Sequence, residues 1–188
     1  MRIYRKEKNM SSIGPETLVR FQAGDIEAFR MIIEHYQGKI FRLGLRMFGQ
    51  TDEASDFAQD AFLRIFEQRG RYDPKRPFEN WFFKVATNLG RDRLRRRHEI
   101  PTGDKPPELA IEPQAELEML KRERNLRVRQ ALQKVKPKYR EGLALRFELD
   151  LNLQEMAQIQ GISLGTVKSR MSRGLKAFHR AYKALGGE

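Results

Sequence analysis

The chain has 188 residues, with 37 Lys plus Arg against 25 Asp plus Glu and a formal net charge of +12. That length allows one domain or two small ones, each with a modest core, and the positive surplus favours a polyanionic partner, because neutralised phosphates release their counterions. The absence of cysteine excludes disulfides, thiolate metal sites and cysteine nucleophiles, and no apolar run approaches the roughly 18 residues of a membrane span.

Residues 1–15 read as an N-terminal tail. MRIYRKEKNM is basic but lacks a following apolar stretch, so it does not resemble a cleaved signal; a cytoplasmic location is expected. From Glu16 to Phe48, Leu18, Phe21, Ala28, Phe29, Ile32 and Ile33 recur at helical spacing, with breaks at Gly24-Asp25 and Gly49-Gln50-Thr51. From Asp52 to Gln68 the residues Ala54, Phe57, Ala58, Ala61, Phe62, Ile65 and Phe66 fall on one broad apolar face. The loop RGRYDPKRP follows, and an aromatic-rich helix then runs from Phe78 to about Arg97.

Pro101, Gly103, Pro106, Pro107 and Pro113 rule out a long helix beyond that point. Residues 98–116 are therefore expected to be a flexible linker between a domain at 16–97 and a second at 117–188. Fully extended, the linker reaches about 55–60 Å at about 3.3 Å per residue. That distance corresponds to about 16–18 base pairs of duplex at about 3.4 Å each.

In the second domain Val128, Ala131, Leu132 and Val135 mark a helix stopped by Pro137, and Tyr139, Leu143 and Phe147 mark another. Asn152-Leu153-Gln154-Glu155 is a capping box that opens a third helix. Gly161 closes it, and Ser163 caps a fourth that runs to about Ala184. No strand pattern appears, so the expected fold class is all-α, two small helical domains, the C-terminal one a helix-turn-helix. In that motif Ala157 sits where two helices approach, Gly161 makes the turn and Ile162 plugs the angle. Val167, Met171, Leu175, Phe178 and Tyr182 supply the buried stripe.

The opposite face carries Thr166, Ser169, Arg170 and Arg173, side chains that hydrogen-bond base edges and phosphates from a helix in the major groove. From Ser163 to Gly186 there are six Lys or Arg and no Asp or Glu, a one-sidedness that an ordinary solvated helix rarely shows.

Three stretches together resemble the extracytoplasmic-function sigma factors, the smallest class of the bacterial sigma-70 family. DEASDFAQDAFLRIFEQ resembles the family's polymerase-binding helix. FENWFFKVATNLGRDRLRRR resembles its promoter-melting helix, and LALRFELDLNLQEMAQIQGISLGTVKSRMSRGLKAF its promoter-reading helix-turn-helix. The resemblance implies an alternative sigma factor that binds core RNA polymerase, directs it to specific promoters and works without catalysis. The implied partners are promoter DNA, the clamp helices of the largest polymerase subunit, the flap of the second-largest, and an anti-sigma factor of the kind that clamps both domains in this family.

The residues support the same division. On the helix Asp52–Gln68 the face away from the core shows Asp56, Gln59, Asp60, Leu63 and Glu67. An apolar anchor rimmed by carboxylates suits docking to a basic surface, here by resemblance the polymerase clamp. On the next helix Asn80, Lys84, Asn88, Arg91 and Asp92 share a polar face, followed by Arg95 and Arg96; by resemblance this face meets the minus-ten element. The preceding loop, with Arg71, Lys75 and Arg76, would help hold an unpaired base. Trp81 belongs more readily to the core than to a stacking platform. The minus-35 element would be read by Ser163, Thr166, Lys168, Ser169, Arg170 and Arg173, flanked by Arg140 and Gln154 as phosphate contacts.

A catalytic reading finds little to build on. His35, His98 and His179 are scattered, and neither a Gly-rich phosphate loop nor a nucleophile elbow is present; no metal or cofactor is expected. A free-standing helix-turn-helix regulator and a structural RNA-binding protein remain as rivals.

Overall fold

The computed structural model describes residues 13–99 and 116–187, with side chains over 13–97 and 123–187. Most of the expected tail and nearly all of the expected linker lie outside the described residues. Among the described residues there are eight α-helices: α1 (Pro15–Gln22), α2 (Ile26–Phe48), α3 (Thr51–Glu67), α4 (Phe78–Glu99), α5 (Glu116–Gln133), α6 (Pro137–Glu148), α7 (Leu153–Gln160) and α8 (Leu164–Lys183). None of them is long and apolar enough to cross a membrane.

Local chemistry sets most of these boundaries. Asp25 caps α2, its carboxylate accepting from the backbone N–H of Glu27 at 2.8 Å and of Ala28 at 3.1 Å. Gly49 ends α2 in the left-handed conformation at φ 86°, which costs a glycine little. Asn152 and Glu155 close the capping box of α7, and Gly161 ends that helix at φ 66°. Ser163 caps α8 by accepting from Thr166 N–H at 3.2 Å.

In the first domain α1 to α4 enclose an aromatic core that includes Phe21, Tyr36, Phe57, Phe82 and Phe83, all essentially inaccessible. Each such ring contributes about 1.5–3 kcal/mol through burial. Ala54, Phe57, Ala61, Phe62 and Ile65 are the buried face of α3, as their spacing predicts. Gly44 lets α2 and α3 cross closely: a Cβ there would stand 2.7 Å from the Phe57 ring and 3.2 Å from the Ala54 Cα. Trp81 packs among Phe21, Tyr72 and Phe78 at centroid distances of 6.4, 5.5 and 5.6 Å, which makes it a core residue.

The second domain wraps α5 to α8 around Leu143, Leu145, Met156, Ile159 and Val167. Two expected apolar positions turn outward. Phe147 is 65% exposed and Leu175 is 44% exposed. The buried face of α6 runs instead through Leu143, Ala144 and Leu145, and that of α8 through Val167, Met171 and Gly174. Gly174 draws α8 onto Tyr139 and Leu143 of α6, so the contact line passes through Gly174 and leaves Leu175 at the surface.

The two domains are in contact. α2 packs on α5 and α6, and α4 packs on α7, so that the buried apolar residues of both domains form one continuous cluster.

Candidate polymerase and nucleic-acid interfaces

The face of α3 opposite its core stripe carries Asp56, Gln59, Asp60, Leu63 and Glu67, all exposed. Leu63 is 61% exposed, an apolar anchor within an acidic rim. Asp60 has an internal partner: it pairs with the Arg93 guanidinium of α4, which also donates to the Asp56 carbonyl at 3.1 Å. Arg97 pairs with Glu53 at 2.9 Å. Two arginines of α4 therefore brace α3, and of the acids on its outward face Asp60 is offset by Arg93 while Glu67 lies 4.0 Å from Arg64.

The loop ahead of α4 is held from within while its cations face outward. Tyr72 is buried, its hydroxyl donates to the Arg76 carbonyl at 3.2 Å and its own carbonyl accepts from Gln22 Nε2 at 2.6 Å. Arg71, Lys75 and Arg76 are exposed. On α4 Lys84, Asn88, Asp92, Arg95 and Arg96 are exposed, and Asp92 pairs with Arg95 at 3.2 Å.

The other two residues of this face meet the second domain. Asn80 Nδ2 donates to Gln158 Oε1 at 2.7 Å. Arg91 donates to both carboxylate oxygens of Glu141, at 2.7 and 2.6 Å. The Glu141 hydrogen bonds and charge raise the Arg91 pKa above its ordinary value.

On α8, Lys168, Ser169 and Arg173 are exposed, Thr166 and Arg170 half-exposed. The Ser163 and Thr166 hydroxyls lie 2.9 Å apart, so the cap also orients the first polar side chain on the outward face of α8. A shallow groove at this end of the helix is lined by Ser163, Thr166, Ser169, Arg170 and Arg173 together with Lys138 and Tyr139 of α6. Hydrogen bonding from Arg173 holds the Tyr139 phenol below its ordinary pKa. The apolar spacing marks Tyr139 only as a helix position; the signal for Lys138 is the run Lys136-Pro137-Lys138 at the N-terminus of α6. Gln154 is exposed in the first turn of α7.

Arg140 is not. It is only 7% exposed and its Nε has no hydrogen-bond partner. Burial, and then the neighbouring Arg97 cation, bring its pKa down to about 10. The expectation of a phosphate contact at Arg140 is thereby corrected: α6 turns this side chain into the junction with α4 and presents Lys138 outward. Among the described side chains no cluster of His, Asp or Glu could hold a metal ion.

Residues 32–100 match the family Sigma-70 region 2 and residues 125–178 match Sigma-70, region 4. The chain is 32% identical over 181 residues to the ECF RNA polymerase sigma factor SigW of Bacillus subtilis, covering 86% of this chain and 92% of that one. It is 28% identical over 182 residues to the RNA polymerase sigma-H factor of Pseudomonas aeruginosa, covering 88% and 92%. In fold it is similar to CnrH, solved in complex with the cytosolic domain of CnrY, with a TM-score of 0.67 at 23% identity over 92% of this chain and 99% of that one. It is also similar to the sigma factor RpoE of Bartonella quintana, solved with the anti-sigma factor NepR, with a TM-score of 0.65 at 18% identity over 82% and 96%. The chain belongs to the sigma-70 family as an extracytoplasmic-function sigma factor, an alternative factor of transcription initiation.

Proposed function

We propose that three surfaces divide the work of promoter recognition. The α3 face centred on Leu63, with Asp56, Gln59, Asp60 and Glu67 around it, docks core RNA polymerase. The α4 face with Asn80, Lys84, Asn88, Arg91 and Asp92, backed by Arg95 and Arg96 and by the loop cations Arg71, Lys75 and Arg76, holds the opened minus-ten strand. The α8 face with Ser163, Thr166, Lys168, Ser169, Arg170 and Arg173 reads the minus-35 duplex, with Gln154 and Lys138 on flanking phosphates.

The observation that carries this reading is the segregation of charge. The acid-rimmed Leu63 lies on α3, whereas α8 from Ser163 to Lys183 bears only basic charged residues. The first surface suits a basic protein partner, the second a polyphosphate. Opening the duplex needs no catalytic group, because capturing an unstacked base offsets the few kcal/mol of melting. Work of this kind is done in the cytoplasm, beside the polymerase, and an anti-sigma factor would control it; the structural neighbour RpoE was solved with one, NepR.

The test is reconstitution. The purified chain added to core polymerase should give promoter-specific transcripts from genomic DNA, whereas a self-sufficient regulator would bind duplex and initiate nothing.

A further inference from the structure

The groove at the start of α8 has a second wall. Facing Thr166, Ser169, Arg170 and Arg173 across a volume of about 390 Å³ stand Lys138 and Tyr139, from the first turn of α6. Gly174, the residue after Arg173, brings the two walls together. A Cβ there would stand 3.3 Å from the Tyr139 Cβ and 3.5 Å from the Tyr139 carbonyl oxygen, so the missing side chain lets α8 settle closely onto α6. The Tyr139 ring is thereby anchored, half-buried against the core. The Lys138 ammonium lies 5.2 Å from its centroid, and its hydroxyl is within hydrogen-bonding reach of the Arg173 guanidinium.

A guanidinium has donors and no acceptor, so the contact runs from Arg173 to the phenol oxygen; it draws the phenol below its ordinary pKa. From Leu164 to Lys183 α8 carries no Asp or Glu, so no carboxylate of its own helix competes for Arg173. An exposed arginine is otherwise among the side chains with most rotamer freedom to lose. One N–H given to Tyr139 orients the planar fork and leaves four donors. Two of those suffice for the paired contact with which arginine grips the adjacent acceptors of a guanine edge.

We propose that Tyr139 is a positioning residue for minus-35 recognition: its hydroxyl holds the Arg173 guanidinium in the orientation that meets two adjacent acceptors in the major groove. The base preference of α8 is thus set in part from α6. This rests on the assignment of α8 as the minus-35 reading helix.

Tyr139→Phe keeps the ring against Gly174 and removes only the hydroxyl. The full chain, in complex with core polymerase, is mixed with a pool of duplexes carrying a randomised window, and the retained fraction is sequenced. Tyr139→Phe should lower the preference at one base pair by about three- to tenfold, the cost of immobilising one freed side chain on binding. That pair should be the one that Arg173→Ala flattens, and the salt slope of log K should not change, since no phosphate contact is lost. The double variant should match Arg173→Ala alone, because the hydroxyl acts only through the guanidinium. Without DNA, the Tyr139 phenol followed by its ring NMR shifts should ionise at a higher pH in Arg173→Ala than in the parent, a change that ring packing alone would not produce. Tyr139→Phe with the parent's preference, or with a loss spread over all duplexes alike, overturns the inference while Arg173→Ala still flattens its base pair. A Tyr139 titration indifferent to Arg173→Ala overturns it as well. If Arg170→Ala and Arg173→Ala both bind as the parent does, the assignment of α8 itself is what fails.

Discussion

Arg93 of α4 reaches across to α3, where it pairs with the Asp60 carboxylate and donates to the Asp56 carbonyl at 3.1 Å. The helix proposed to dock polymerase and the helix proposed to hold the strand are therefore braced against each other. The pairing also ranks the acids of the docking face. Asp60→Asn should weaken core polymerase binding less than Asp56→Asn, because Arg93 already offsets the Asp60 charge. Titration of labelled variants with core enzyme at low salt, where surface charges count most, compares the two directly, and the opposite order would remove Asp56 from the interface.

Leu63→Asp should abolish the polymerase complex and leave duplex binding intact. Leu63 is 61% exposed, so the change does not disturb the core, while truncation of a central interface anchor commonly costs about 2 kcal/mol or more and an added acid removes the apolar contact altogether. Gel filtration with core enzyme reads the loss, and a normal holoenzyme from this variant would discard the docking face.

The reading helix separates two kinds of contact. Arg170→Ala should cost about 1–3 kcal/mol on a promoter duplex and relax base preference at one position. Lys168→Ala should weaken all duplexes alike and lower the salt slope of log K by about 1. Binding isotherms on matched and scrambled duplexes over a series of salt concentrations distinguish the two.

Arg140→Met should raise the melting temperature and leave promoter affinity unchanged. Arg140 is 7% exposed, its Nε lacks a hydrogen-bond partner and the Arg97 cation is its neighbour. A buried polar group without its hydrogen bond costs about 1–3 kcal/mol, and methionine fills a similar volume without that cost. Calorimetry reads the stability, and a loss of promoter affinity would return Arg140 to the DNA surface.

Much of this architecture is legible in the sequence because its signals are local. The stripe through Ala54, Phe57, Ala61, Phe62 and Ile65 reports a helix and its buried side within a few turns. Asn152 with Glu155, then Gly161 and Ser163, spell out the helix-turn-helix by capping chemistry that involves only near neighbours in the chain. The misread positions are those where a second helix chooses the face: Phe147 and Leu175 fit the apolar period and yet lie outward, because Gly174 is where α8 meets α6.

By itself the sequence determined the helices, their caps, the division into two domains and the segregation of acid on α3 from base on α8, all of which depend on residues a few positions apart. The tertiary structure alone decided which charges meet across the junction. Arg91 and Glu141 are 50 positions apart and Arg46 and Glu148 are 102 apart, so no periodicity links them. Their pairing, like the burial of Arg140 beside Arg97, follows from how two folded surfaces fit, and that fit leaves Leu63 exposed on α3 while it ties Asn80 and Arg91 of α4 to the second domain.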